Sequence, residues 1–168
     1  MDVPTYAETI FITDAAINIA PDLDVKRDII QNAIDLYHDI GLGVPRVAIL
    51  SAVETVTTKI PSTIEAAALC KMAERGQITG GILDGPLAFD NAIDPEAARI
   101  KGIKSEVAGD PDILLAPDLE AANILAKQLT FLAGLNNVFD KKYYARVNAN
   151  GIDPAYGRNF YIGGSVKF

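Results

Sequence analysis

Residues 46–83 decide the fold, and they read RVAILSAVETVTTKIPSTIEAAALCKMAERGQITGGIL. An apolar run over 46–53 is followed by a polar loop, a helical pattern over 62–75 and a second apolar segment over 80–83. Ser62 and Glu65 have the spacing of a capping box, and a glycine follows the last helical turn. A strand, a helix and a strand in this order predict a βαβ unit with parallel strands.

The same alternation extends on both sides of this unit. Further strands are predicted over 9–19 (TIFITDAAINI) and 112–117 (DILLAP), and further helices over 22–40 and 118–133. Residues 1–134 are therefore predicted to form an α/β domain whose mainly parallel sheet is flanked by helices.

The helix predicted over 22–40 has one apolar face. Leu23, Ile30 and Tyr37 lie on that face, together with Ala33 or Ile34. Its charged residues are expected largely off the face: Lys26, Arg27, Asp28 and Asp35.

Composition limits the class of protein. The chain has 168 residues, of which 49% are hydrophobic, and a net charge of −7. The size suits one domain with a core, and the acidic balance argues against a nucleic-acid partner. No apolar run is long enough for a membrane helix and the first residues lack a signal-peptide pattern, so we expect a cytoplasmic protein with no membrane contact. The single Cys70 excludes an intramolecular disulfide.

Charge and aromatic content both change near Gly134. Residues 1–134 carry a net charge of −10, whereas residues 135–168 carry +3 and seven of the twelve aromatic side chains. This change predicts two segments of different origin, an α/β domain over 1–134 and an aromatic tail over 135–168.

The carboxyl edge of the sheet is the predicted place for a ligand. IAPDLD at 19–24 and LAPDLE at 115–120 both look like strand-to-helix turns, and ligands of open α/β sheets usually lie outside that edge. Asp22 and Asp118 are predicted to cap the helices that they open. The polar candidates at this edge are Thr13, Asp14, Asn18, Ser51, Glu54, Thr55, Thr57, Thr58, Lys59, Asp84, Asp90, Asn91, Asp118, Glu120 and Asn123.

Two stretches of this edge are the most informative. The loop SAVETVTTKIPST places hydroxyl groups and Lys59 before the start of a helix, which suits an anion such as phosphate, although Ser and Thr are also common in ordinary turns. Asp84, Gly85 and Pro86 predict a tight turn that either brings backbone amides to a ligand or serves only as a turn. No metal-ligand cluster or nucleotide-binding motif is present in the sequence.

Four segments resemble the phosphate acetyltransferase and phosphate butyryltransferase family over residues 1–134. They are FITDAAINIAPDL, RVAILSAVETV, KIPSTIEAAALCKMAERGQITGGILDGPLAFDNAI and KGIKSEVAGDPDILLAPDLEAANILAKQLTFLAG. The resemblance implies acyl transfer between coenzyme A and inorganic phosphate, with coenzyme A as substrate and no bound cofactor. It also implies a homo-oligomer and a fold like the second domain of isocitrate and isopropylmalate dehydrogenases.

The resemblance narrows the candidates without assigning a catalytic residue. The expected substrate-binding residues are Ser51, Glu54, Thr55, Thr57, Lys59, Ser62, Asp84, Gly85, Asn91 and Asn123. In the family, a first domain precedes this stretch and a later segment supplies the proposed catalytic Ser, Arg and Asp. That segment has no counterpart within 1–134, so we expect weak activity or none.

The tail resembles the end of another class of protein. LNNVFDKKYY and GRNFYIGGSVKF are similar to the last two strands of a TonB-dependent outer-membrane receptor, and they predict a β-hairpin in a chimeric reading frame. Two alternatives to an acyltransferase therefore stay open: a non-catalytic structural or dimerisation module, and a fragment of an outer-membrane receptor.

Overall fold

The computed structural model describes residues 9–130 and, beyond them, the backbone of four short strands over 134–136, 144–148, 151–154 and 159–161. Within the first range, strands and helices alternate as predicted. In chain order they are β1 (Phe11–Thr13), α1 (Leu23–Asp39), β2 (Arg46–Leu50), α2 (Pro61–Glu74), β3 (Ile82–Leu87), α3 (Phe89–Ile93), α4 (Pro95–Ile100), β4 (Ile113–Leu115) and α5 (Leu119–Thr130). The short helices α3 and α4 were not predicted.

The four strands form one parallel sheet in the order β1-β4-β2-β3. Strand β4 pairs with β1 on one side and with β2 on the other, and β2 pairs with β3. The predicted parallel sheet is thus confirmed, and the βαβ unit of residues 46–83 places its two strands next to each other. All four strands end at one edge of the sheet.

The core lies on both faces of this sheet. Val47 and Ile49 of β2 point into a cluster with residues of α1 and α2, while Ala48 and Leu50 point into a second cluster on the opposite face. Successive residues of a strand face opposite sides, so a strand covered on both faces is apolar throughout.

Strand β1 is much shorter than the predicted strand over 9–19. After Thr13, the carboxylate of Asp14 accepts hydrogen bonds from the backbone amides of Ala16, Ile17 and Asn18. A carboxylate that binds the amides of the following residues favours a turn over an extended strand. The apolar residues beyond Asp14 were therefore wrongly assigned to the strand, and Ile17 is 82% exposed.

Helix α1 buries one charged residue that the apolar pattern placed largely off its inner face. Lys26 is only 5% exposed, and its ammonium bonds the carboxylate of Glu65 on α2. The prediction for Lys26 was wrong because a lysine can bury its aliphatic stem when its charged end finds a partner. The predicted cap is confirmed, since Asp22 accepts a hydrogen bond from the Val25 amide at 2.9 Å.

Helix α2 begins one residue before the predicted start, and its predicted capping box is wrong. The helix starts at Pro61 and its N-cap is Ile60, whose side chain makes no capping hydrogen bond. Proline suits the first helical position because it has no amide hydrogen to satisfy. The predicted end is confirmed, because Gly76 follows the last turn with φ +72°.

The tight turn predicted over Asp84, Gly85 and Pro86 is wrong, because these residues belong to β3. Strand β3 is an outermost strand of the sheet, with a neighbour on one side only, and a proline is tolerated in such a strand. Gly85 is needed there, since a Cβ atom would lie 2.8 Å from both Cβ and the carbonyl oxygen of Ile49.

Backbone contacts divide the chain into two compact units, Met1–Ala126 and Lys127–Phe168. In the second unit, β5 (Gly134–Asn136) pairs antiparallel with β8 (Asn159–Tyr161), and β6 (Tyr144–Asn148) pairs antiparallel with β7 (Gly151–Pro154). Most of the strand predicted over 157–168 lies outside the described residues. The hairpin and the boundary at Gly134 therefore stay predictions.

Candidate functional site

Ser51 and Ser62 meet at the carboxyl edge of the sheet. Ser51 follows β2 directly and is 8% exposed, and its hydroxyl oxygen lies 2.8 Å from that of Ser62 in the first turn of α2. The Ser51 amide donates to the carbonyl of Leu87 at the end of β3, which fixes the position of Ser51. The structure thus brings together two predicted site residues that are separated by 11 positions in the chain.

Residues Ser51–Ile60 connect β2 to α2, and we call this loop the edge loop. Its end is held by Thr63, which is fully buried. The Thr63 hydroxyl accepts a hydrogen bond from the Thr57 amide at 2.9 Å and lies within hydrogen-bond distance of the carbonyls of Thr57 and Ile60. The hydroxyl of Thr57 accepts from the Lys59 amide at 3.3 Å. The predicted site residue Thr57 therefore also shapes the loop.

Two predicted residues of the edge loop, Thr55 and Lys59, are exposed. The described part of the chain supplies no ion-pair partner for Lys59. Because Pro61 has no amide hydrogen, the first amide that α2 offers at this end is that of Ser62. The Lys59 ammonium, two hydroxyl groups and a helix amino end therefore lie on one short segment.

Glu54 is the acidic residue of the edge loop, and it is tied to the segment after β3. Its carboxylate accepts hydrogen bonds from Lys101 at 3.0 Å and from the Asn91 side chain at 3.3 Å. The hydrogen bond from Lys101 lowers the pKa of Glu54, and the bond to Glu54 raises the pKa of Lys101. Asp90 lies 3.7 Å from the same ammonium. Both partners of the Glu54–Lys101 ion pair are therefore charged at neutral pH.

Asn91 is completely buried, yet its side chain is only half satisfied. Its amide nitrogen donates to Glu54, while its carbonyl oxygen, Oδ1, has no hydrogen-bond partner among the described residues. A buried acceptor without a partner is costly, and such groups are rare in folded proteins. Packing alone therefore does not explain why a polar side chain occupies this buried position.

Three further predicted site residues, Asp84, Gly85 and Asn123, make their hydrogen bonds outside this group. The carboxylate of Asp84 accepts a hydrogen bond from the amide of Gly85 at 2.8 Å. Asn123 donates instead to the carbonyl of Ala15 at 3.0 Å, in the turn that follows β1. Because β1 and β2 are separated by β4, Asn123 belongs to the other half of the sheet edge.

Asp14 and Asp118 organise turns in that other half. Burial alone would raise the pKa of Asp14, but hydrogen bonds from Asn18, Ile17 and Ala16 outweigh it and hold the pKa below its ordinary value. Asp118 accepts from the Ala121 amide at 2.8 Å, which confirms its predicted role as a cap of α5.

Sequence reasoning missed three residues that build this edge: Lys26, Thr63 and Lys101. Lys26 lines a small pocket between α1 and α2 that also contains Ser62 and Glu65. Its spacing from Ile30 and Ile34 is helical, so the periodicity alone could have placed it on the buried face. No local signal identifies Lys101, because its partner Glu54 lies 47 positions away.

The arrangement suits an anion better than a metal ion. Oriented hydroxyls, the Lys59 ammonium and a helix amino end attract negative charge. The described residues hold no group of three or more His, Cys, Asp and Glu side chains suited to a metal ion. None of the helices in the described part of the chain combines the length and the apolar character that a bilayer span requires.

Known proteins show the same pattern of sequence and fold. A family model described as "Phosphate acetyl/butaryl transferase" matches residues 1–138. A phosphate acetyltransferase of Rhizobium meliloti is 80% identical over 132 residues, which cover 79% of this chain and 42% of that protein. A probable phosphate butyryltransferase of Bacillus subtilis is 51% identical over 132 residues, which cover 79% of this chain and 44% of that protein.

A solved structure gives the corresponding match of folds. A branched-chain phosphotransacylase from Enterococcus faecalis superposes with a TM-score of 0.70 and 33% identity, covering 77% of this chain and 46% of the other. The predicted likeness to dehydrogenases and the receptor-like tail stay predictions.

The matched region spans less than half of the length of these relatives, 42% and 44% for the two curated proteins. Within this chain, however, the family model extends from the first residue through the parallel sheet, the edge loop and α5. The chain therefore belongs to the phosphate acetyl/butyryltransferase family.

Proposed function

We propose that this chain takes part in acyl transfer between acyl-coenzyme A and inorganic phosphate in the cytoplasm, and that its edge loop binds the phosphate. The observation that carries the proposal is the contact between Ser51 and Ser62, which places two hydroxyls 2.8 Å apart at the amino end of α2. The named activities of the relatives, phosphate acetyltransferase and probable phosphate butyryltransferase, support the same reaction class.

The reaction defines what the site must do. An oxygen of hydrogen phosphate forms a bond to the thioester carbonyl carbon, the carbon–sulfur bond breaks, and the sulfur takes up the proton that phosphate loses. The products are an acyl phosphate and free coenzyme A. Holding two anions together and stabilising charge on the carbonyl oxygen require cations and oriented donors.

The chain's own residues would contribute to the first of these tasks. Phosphate oxygens can accept hydrogen bonds from the Ser62 amide, from the Lys59 ammonium and from whichever of the Ser51 and Ser62 hydroxyls does not donate to the other. The carboxylate of Glu54 is neutralised by Lys101, so it does not cancel their attraction. We assign no catalytic residue.

The test measures phosphate-dependent release of coenzyme A from acetyl- and butyryl-coenzyme A, together with binding of inorganic phosphate by isothermal titration calorimetry. Ser51→Ala is expected to weaken phosphate binding by about tenfold to a hundredfold, since a hydrogen bond to a charged group contributes about 1.5–3 kcal/mol. Thr79→Ala is the matched control, because Thr79 is exposed and lies before β3, at the opposite edge of the sheet.

The two readouts separate the parts of the proposal. Phosphate binding that is lost in Ser51→Ala but kept in Thr79→Ala supports the edge loop as the anion site. A folded wild-type protein that binds no phosphate at millimolar concentration would contradict it, whatever the rate of coenzyme A release.

A further inference from the structure

We propose that Lys101 and Asn91 are positioning residues: they hold Glu54, and through Glu54 they hold the edge loop in the place where it binds its anion. The part of this inference that concerns the anion rests on the proposed function. The part that concerns the loop does not.

The contact joins two segments that follow neighbouring strands. Glu54 lies within the loop after β2, whereas Asn91 belongs to α3 and Lys101 ends α4, both after β3. The two donors reach the same oxygen of Glu54, at 3.3 Å and 3.0 Å. Because Lys101 and Asn91 approach from different helices, the Glu54 side chain is held from two directions.

The burial of Asn91 indicates that its bond to Glu54 matters more than its packing. The side chain is 0% exposed, and Oδ1 has no partner within the described residues. An apolar residue of similar volume would avoid this cost, so the retained amide must serve the bond that it does make. Natural proteins commonly lose stability at functional positions in this way.

Lys101 also sets the local charge. Without its ammonium, the carboxylates of Glu54 and Asp90 would be uncompensated beside a loop that has to attract an anion. Residues 1–134 already carry a net charge of −10, which repels anions in general. Loss of Lys101 should therefore both free the loop and weaken the attraction.

The experiment compares Asn91→Leu and Lys101→Met with wild type in the full chain. The rate of amide hydrogen exchange in residues 52–59 measures how firmly the edge loop is held. Calorimetry with inorganic phosphate measures binding, and the melting temperature measures the stability of the fold. Lys104→Met is the control, because Lys104 is an exposed lysine without an ion pair among the described residues. Lys101→Arg keeps the charge and should keep wild-type behaviour.

In Asn91→Leu, we expect an unchanged or higher melting temperature, faster exchange of the edge loop and phosphate affinity lower by about threefold to tenfold. In Lys101→Met, we expect faster exchange and about a tenfold loss of phosphate affinity. A merely structural asparagine would instead lower the melting temperature when it is replaced.

Edge-loop exchange that stays at the wild-type rate in both variants overturns the inference, whether or not phosphate binds. A wild-type protein that binds no phosphate overturns the proposed function instead, and the exchange rates still decide whether Lys101 and Asn91 position the loop.

Discussion

The ion pair between α1 and α2 should respond unequally when either partner is removed. The Lys26 ammonium bonds the Glu65 carboxylate, and the two side chains are 6% and 34% exposed. Without Glu65, a buried ammonium is left without its carboxylate. Without Lys26, the remaining carboxylate is partly reached by water. The size of each effect should therefore follow the exposure of the charge that stays behind.

Both residues are best replaced by methionine, because its length and helix propensity resemble those of lysine and glutamate. We expect Glu65→Met to lower the free energy of unfolding by about 3 kcal/mol, since breaking a buried pair typically costs about 3–5 kcal/mol and this pair is only partly buried. We expect Lys26→Met to lower it by about 1 kcal/mol or less, because methionine suits a pocket that also contains Leu50 and Leu115.

The assay is urea unfolding followed by circular dichroism, with linear extrapolation to water. The double variant should match Lys26→Met within about 0.5 kcal/mol, since no charge is left to compensate. Lys71→Met is the control, because its pair with Glu74 is exposed and should contribute less than about 1 kcal/mol. A larger loss in Lys26→Met than in Glu65→Met would refute the reasoning from burial.

Three further predictions concern Gly85, Asp14 and Cys70. Gly85→Ala should lower the free energy of unfolding by about 1–3 kcal/mol, because the new Cβ would lie 2.8 Å from Ile49; an unchanged urea midpoint would contradict this. The pKa of Asp14 is lower in the folded state than in the unfolded state, so its contribution to stability is present above the unfolded value and is lost as the pH falls through the folded value. Asp14→Asn should therefore destabilise the protein near pH 7 and have a smaller effect near about pH 3, as a comparison of urea midpoints at the two pH values would show. Burial raises the pKa of Cys70 to about 12, so at about pH 8 the folded protein holds on the order of 10³-fold less thiolate than the unfolded protein, and its reaction with a disulfide reagent should be slower by up to that factor; equal rates would show that the thiol is accessible.

Much of the fold was predictable because its signals are local. The apolar runs gave β2 and β4, the Asp22 and Asp118 caps marked the starts of α1 and α5, and Gly76 marked the end of α2. The errors arose where another interaction prevailed over the local pattern. Asp14 ended β1 early by binding the amides of the residues that follow it.

The candidate site was predictable in part, for a related reason. A parallel sheet carries its strand ends to one edge, so the residues after β2 and β3 were expected together, and Ser51, Ser62, Glu54 and Asn91 do lie there. Asn123 was grouped with them although it contacts the turn after β1, because the order of the strands is not encoded in their individual patterns.

The sequence by itself determined the class of fold, the parallel sheet and the edge at which polar residues collect, because the periods of strands and helices record which residues are buried. Only the tertiary structure decided which charges meet. Lys26 and Glu65 are 39 positions apart and Glu54 and Lys101 are 47 apart, so each pair forms only after the strands have taken their order in the sheet. The partner of the buried lysine and the half-satisfied state of Asn91 are visible only then, since both depend on residues distant in the chain.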